Sequence, residues 1–262
     1  MQLYPIAPET RLDIMDCLVQ IECRHDVTVL FACESGSRGW GFASPDSDYD
    51  VRFLYVHRLP WYLTVLSGRD VIEMPISGAL DINGWELRKA LGLLRKGNAT
   101  LMEWLDSPIV YRRDECFMAQ MQAVAQICYQ PERSFQHYIH MARKNYRDYL
   151  QHERVRLKKY LYVLRPVLAA LWIERDLGAV PMPFHTLVDV IVTDPLLVSA
   201  IARLLEIKRA ASESEYGEAI PEISRFIDTE LTRLETVSIP CQPEPDFTRL
   251  DRLLSEMVQR YG

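Results

Sequence analysis

The chain has 262 residues, of which 48 % are hydrophobic and 25 % charged, with a formal net charge of −6 at pH 7. This length is enough for two compact domains, and no apolar run approaches the roughly 18 residues of a membrane span. The acidic total argues against a protein that coats nucleic acid through bulk positive charge.

Residues 9–24 read as an opening amphipathic helix, with Leu12, Met15, Leu18, Val19 and Cys23 as its apolar positions. The apolar run Val27–Cys33 predicts a strand, a Gly36-Ser37 turn follows it, and a second strand spans 49–56. The intervening stretch is Gly36-Ser-Arg-Gly-Trp-Gly-Phe-Ala-Ser-Pro-Asp-Ser-Asp-Tyr-Asp50. Asp48 and Asp50 open the second strand, and their spacing of two puts both carboxylates on one face. Like charges held side by side require a cation between them, which predicts a divalent-metal site with a phosphate cradle beside it. Gly36 lets the backbone turn sharply and approach a ligand. The turn amides and the Ser37 hydroxyl are donors of the kind that hold phosphate oxygens. Asp46 follows Pro45 in a turn-forming run, where capping its own backbone is the simpler account. Arg38 has two readings, a phosphate contact or a structural pair with a nearby acid. Trp40 either packs beneath the loop or stacks on a base.

Further along, 71–74 and 80–82 predict two short strands joined by Pro75–Gly78. Asn83-Gly84-Trp85 predicts the opening of a helix over 85–96, stopped by Gly97, and a second helix covers 98–105. A short edge strand at 109–111 and a helix at 114–129 follow. The fold class expected is α+β, with a small mixed-sheet domain at 1–112 and a helical bundle domain at 113–262 that closes over or beside the active site. In the second part, 155–177 is a long helical run that Pro166 should kink or break. Gly178–Pro183 is a linker, and further helices are expected at 183–189, 196–211, 222–235 and 246–260.

Charge is unevenly placed. Between 133 and 165, nine Lys and Arg residues stand against Asp148 and Glu153, a net +7 that leaves the rest of the chain at −13. Such a face suits a triphosphate or an RNA end, although a solvated helix face has the same composition. Lys144, Lys159, Tyr160 and Arg165 are its candidates for closing over a nucleotide, and Lys89 is a further basic residue just after Asp81. His137 and His140 are three apart without a completing ligand, weak ground for zinc. The N-terminal stretch 1–8 lacks the basic start and apolar core of a signal peptide. Six cysteines without Cys-x-x-Cys spacing read as free thiols in a reducing cytoplasm.

The string Gly36-Ser37-Arg38-x-x-Gly41…Ser47-Asp48-x-Asp50 resembles the signature of the DNA polymerase beta-like nucleotidyltransferase superfamily. Its fuller form is similar to a bacterial nucleotidyltransferase branch, some of whose members accompany RNA-repair ligases. Segments 80–89, 97–105 and 159–165 extend the likeness. The resemblance implies a third carboxylate on a neighbouring strand, for which Asp81 is the residue in place. It also implies Mg2+ or Mn2+ held by Asp48, Asp50 and Asp81, an NTP (ATP among them) as substrate, and transfer of a nucleoside monophosphate to an acceptor hydroxyl with release of pyrophosphate. Gly36, Ser37, Arg38, Lys89, Lys144, Lys159 and Tyr160 become the nucleotide-binding candidates. An RNA end is the favoured acceptor, with a protein or small-molecule hydroxyl as alternatives. Two other classes fit the same residues: an idle nucleotide-binding or scaffold protein, and a two-metal phosphohydrolase.

Overall fold

The computed structural model describes residues 6–76, 78–151, 154–210 and 216–262. Residues 1–5, Ser77, Glu153 and Ala211, which belong to segments named above, lie outside these.

Helix α1 (Pro8–His25) begins with proline in its first turn, where a missing amide costs nothing. Then come β1 (Val27–Glu34), the short helical turn α2 (Gly36–Gly39), β2 (Tyr49–His57) and α3 (Leu59–Tyr62). They are followed by β3 (Val71–Glu73), β4 (Leu80–Glu86), α4 (Leu87–Arg95), α5 (Ala99–Leu105), β5 (Val110–Arg113) and α6 (Glu115–Cys128). Asn98 and Asp114 cap α5 and α6 by accepting from the amides of Leu101 and Phe117. The five strands form one sheet in the order β3-β4-β2-β1-β5. β2 and β4 are parallel and the other pairs antiparallel, so the sheet is mixed and the fold class is α+β.

Period-two alternation divides the core between the two faces of this sheet. Val51, Phe53 and Tyr55 of β2 pack with Val27, Val29 and Ala32 of β1 and with Ile14, Leu18 and Ile21 of α1. Leu12 and Val19 of α1, expected among the apolar positions, are 66 % and 47 % exposed. Both sets have helical spacing, and the sheet takes only one. Leu54 and Val56 occupy the opposite face with Leu87, Leu91, Leu101 and Met118. Asp50 and Arg52 continue the register of that second face toward the N-terminal end of β2.

β4 departs from expectation. Asn83, Gly84 and Trp85 continue the strand, opposite Arg52, Phe53 and Leu54 of β2, and do not open a helix. Gly84 lies against the Phe53 ring, where a β-carbon would come within 2.2 Å of Cε2. The glycine admits an aromatic neighbour; in isolation it reads as a breaker. The helix begins only at Leu87, with the Glu86 side chain accepting from Lys89 N at 3.2 Å.

The remaining elements are α7 (Pro131–Tyr149), β6 (Arg154–Arg156), α8 (Lys158–Glu174), α9 (Phe184–Ile191), α10 (Pro195–Ala210), β7 (Tyr216–Glu218), α11 (Pro221–Arg233) and α12 (Thr248–Tyr261). The β6–β7 pair was not expected in a helical region. α8 runs through Pro166 without ending. Proline cannot supply an amide to the Tyr162 carbonyl four residues back, and Asn145 Nδ2 donates to that oxygen instead, at 3.1 Å.

The chain divides into two compact units interleaved in sequence. Of the described residues, one unit holds 6–39 with Asp48–Tyr129 and Pro243–Gly262; the other holds Trp40–Ser47 with Gln130–Gln242. The sequence reading cuts the chain once, at 112. Here α6 and α12 belong to the sheet unit, because Phe117, Met118, Leu250, Leu253 and Met257 share one apolar cluster with Leu54 and Val56. Among the described residues, no helix is long and apolar enough to cross a membrane.

Candidate active site

Parallel pairing of β2 with β4 sets Asp50 directly beside Asp81. Between them lies Arg52, two residues beyond Asp50 and on the same strand face. Its Nη2 donates to Asp50 Oδ1 at 2.9 Å and to Asp81 Oδ2 at 2.8 Å. Its Nη1 donates to the carbonyls of Val51 (3.1 Å) and Asp81 (3.2 Å). Two carboxylate oxygens from adjacent strands thus converge on one cationic nitrogen.

The turn that follows β1 presses against this pair. Gly36 has φ +55°, and a β-carbon there would stand 2.0 Å from Asp50 Oδ2. Glycine is therefore required twice, by the left-handed backbone and by the approach to the carboxylate. Ser35 N donates to Asp50 O at 2.8 Å and Gly39 N to Ser35 O at 3.1 Å, fixing the turn to the start of β2. Ser37 and Arg38 are both buried. Arg38 Nε donates to the Asp48 carbonyl at 3.1 Å, and its guanidinium lies 3.9 Å from the Tyr49 ring centroid.

Behind Asp50 stands Glu34, the last residue of β1 and fully buried. Its Oε1 accepts from Asp50 N at 2.8 Å and its Oε2 from the Tyr111 hydroxyl at 2.5 Å. Burial pushes the Glu34 carboxyl up to about 7, opposed in part by those two hydrogen bonds. Asp50 is also raised, by burial first, with Arg52 pulling it down and Asp81 and Asp48 pushing it up. The Tyr111 hydroxyl is raised by burial and by the facing Glu34 carboxylate.

Asp50 and Asp81 are therefore brought together. Asp48 is exposed and immediately precedes β2. Among the described residues, no three His, Cys, Asp or Glu side chains are grouped as a metal site, so the expected trio is not assembled as a three-ligand cluster and His137 with His140 has no completing ligand. The acid pair itself fits a divalent cation: both are hard oxygen ligands, and a cationic nitrogen already stands within 3 Å of each.

Lys89 Nζ pairs with Asp70 Oδ1 at 3.1 Å. In the helical unit, Lys144 is exposed on α7, and Lys159 Nζ sits 4.2 Å and 4.9 Å from the Tyr149 and Tyr162 ring centroids. Tyr160 is buried, shares a 2.6 Å hydrogen bond with Ser224 Oγ and accepts from Ile220 N at 3.2 Å. Arg165 is buried, donates to Met182 O at 3.2 Å and lies 4.8 Å from the Trp40 ring centroid. Trp40 packs with Phe42 and Tyr162, so in this structure its ring is a packing group.

Sequence reasoning missed Arg52, Glu34 and Tyr111. A cation two residues beyond an acid in a strand was a readable signal for Arg52. A carboxylate ending an otherwise apolar strand was one for Glu34. Tyr111 carried none, because its partner is distant in sequence.

A family model described as "RlaP: RNA repair pathway DNA polymerase beta family" matches residues 10–256, and the chain belongs to that family. The chain is 46 % identical over 248 residues to "Uncharacterized protein YcgL" of Bacillus subtilis (strain 168), covering 94 % of this chain and 95 % of that protein. Among solved structures, a nucleotidyltransferase-like protein from Exiguobacterium sibiricum 255-15 aligns over 93 % of this chain and 75 % of its own, with 10 % identity and a TM-score of 0.29.

Proposed function

We propose that this protein is a metal-dependent nucleotidyltransferase that moves a nucleoside monophosphate from an NTP to an acceptor hydroxyl, an RNA end in the first instance. The observation that supports this reading best is the convergence of Asp50 Oδ1 and Asp81 Oδ2 on a shared cation, in a chain whose family is named for RNA repair and DNA polymerase beta.

In this reading the acceptor oxygen forms a bond to the α-phosphorus as the bond to pyrophosphate breaks. Asp50 and Asp81, with Asp48 as the third acid, would hold Mg2+ or Mn2+. When bound, that metal supplies Lewis-acid neutralisation of the triphosphate and activates the attacking hydroxyl. Asp81 completes the site on the side of the hydroxyl. The turn that begins at Gly36 donates amides other than that of Gly39, which is held by Ser35 O, and the Ser37 hydroxyl to phosphate oxygens. Arg38, Lys89, Lys144, Lys159 and Tyr160 are the further nucleotide contacts assigned. Two of them must change partners to serve: Lys89 has to leave Asp70, and Tyr160 has to leave Ser224. The acceptor is assigned as RNA before protein, and the compartment as the cytoplasm, with which the free thiols are in keeping.

The test is incubation with each α-phosphate-labelled NTP, Mg2+ or Mn2+, and fractionated RNA or protein. Label transferred to RNA supports the reading. Label released only as free nucleotide, with no acceptor product in any fraction, contradicts it.

A further inference from the structure

The guanidinium of Arg52 is held by four acceptors: Asp50 Oδ1, Asp81 Oδ2 and the carbonyls of Val51 and Asp81. Its side chain is 17 % exposed, and those of Asp50 and Asp81 are 29 % and 36 % exposed. The acids are thus open to solvent on one side and clasped by a cation on the other. Nη2 stands where the two carboxylates converge, within 3 Å of an oxygen of each, and a metal held by both acids would compete for that place. Two positive charges cannot share it. Asp50 is further limited on the side of Gly36, which packs against its Oδ2 at a distance that leaves no room for a β-carbon.

We propose that Arg52 is an exchangeable cation that neutralises the acid pair in the metal-free protein and withdraws when the metal loads, so that the clasp and the metal exclude one another. The inference rests on the acid-pair reading given above. It gives Arg52 two consequences of opposite sign. The clasp stabilises the metal-free fold by neutralising two adjacent carboxylates on neighbouring strands. The same clasp weakens metal affinity, because loading must first break two charge-assisted hydrogen bonds.

A role in which Arg52 only holds the acids in position predicts the reverse for the metal, since loosened ligands bind less well. The two roles are separated by Mn2+ alone, without nucleotide. Free Mn2+ is followed by electron paramagnetic resonance in the full-length wild type, Arg52→Gln, Arg52→Lys and Asp50→Asn, with thermal melting in EDTA as the measure of fold. The expected result for Arg52→Gln is Mn2+ binding about tenfold tighter than wild type, with a lower melting temperature in EDTA and a larger rise on adding Mn2+. Arg52→Lys keeps the charge but loses the fork, and should move in the same direction by less. If Arg52→Gln does not melt cooperatively, Arg52→Lys carries the test: affinity above wild type supports the exchange, and affinity equal or lower overturns it. Affinity equal to or below wild type in a folded Arg52→Gln likewise overturns it, while leaving the metal reading standing if Asp50→Asn binds worse than wild type. Mn2+ binding absent from wild type and all variants overturns both readings together.

Discussion

Gly36 and Asp50 approach so closely that a β-carbon on Gly36 would stand 2.0 Å from the Asp50 carboxylate. The turn and the acid are therefore one construction, joined further by Ser35 N donating to Asp50 O. Gly36→Ala must accept a left-handed backbone, at about 1–2 kcal/mol, and must also displace Asp50. Ser37→Ala removes one hydroxyl from a turn that retains its amides, a loss of about 1 kcal/mol. Gly36→Ala should lower both melting temperature and Mg-NTP affinity well beyond Ser37→Ala. Equal and negligible changes in calorimetric NTP affinity would show that this turn does not hold phosphate.

Glu34 makes stability depend on pH. Its folded carboxyl is raised to about 7, above the ordinary value near 4.3 of an unfolded glutamate. The folded chain binds more protons between those values, so the contribution of Glu34 is full below about pH 4.3 and is lost as pH rises through 7. Unfolding free energy by urea should fall by about 3–4 kcal/mol across that window for this group. Glu34→Gln keeps an acceptor for Asp50 N and removes the titration, so its pH slope should be flatter than wild type. Identical slopes in the two proteins would contradict the assignment.

Asn145 replaces the hydrogen bond that Pro166 removes from α8. Asn145→Ala should destabilise by about 1–3 kcal/mol, because the Tyr162 carbonyl loses the bond from Asn145. In a Pro166→Ala background the backbone amide returns, and Asn145→Ala should cost less. A double-mutant cycle by urea denaturation reads this directly; a coupling of zero would mean that the carbonyl does not depend on Asn145.

Much of the sheet unit was legible because its signals are local. The apolar run of β1, the Gly-Ser turn and the Asp-x-Asp start of β2 carry their own spacing, and capping residues mark α5 and α6. What was not legible depended on neighbours far along the chain. Gly84 reads as a helix boundary until Phe53 is beside it, and α1 offers two helical stripes of which the sheet buries Ile14, Leu18 and Ile21. Pro166 reads as a kink or a break until Asn145 supplies the missing donor. The sequence reading sets a cation between Asp48 and Asp50; that Arg52 instead joins Asp50 to Asp81 follows only from the register of β2 against β4. The interleaving of the two units, with α12 in the core of the sheet unit, had no local signal at all.

Nucleotidyl transfer at the Asp50–Asp81 pair is read out by the fate of the α-label. Wild type, Asp50→Asn and Asp81→Asn should be compared with α-labelled and γ-labelled NTP, Mg2+ or Mn2+, and RNA with defined ends, after melting curves show that the variants are folded. The expected result is α-label covalently on the RNA and γ-label in pyrophosphate for wild type, with transfer reduced at least about 100-fold in both variants, the scale of losing transition-state charge stabilisation. Undiminished transfer in folded Asp50→Asn, or γ-label released by wild type as free phosphate with no α-labelled product, would contradict it.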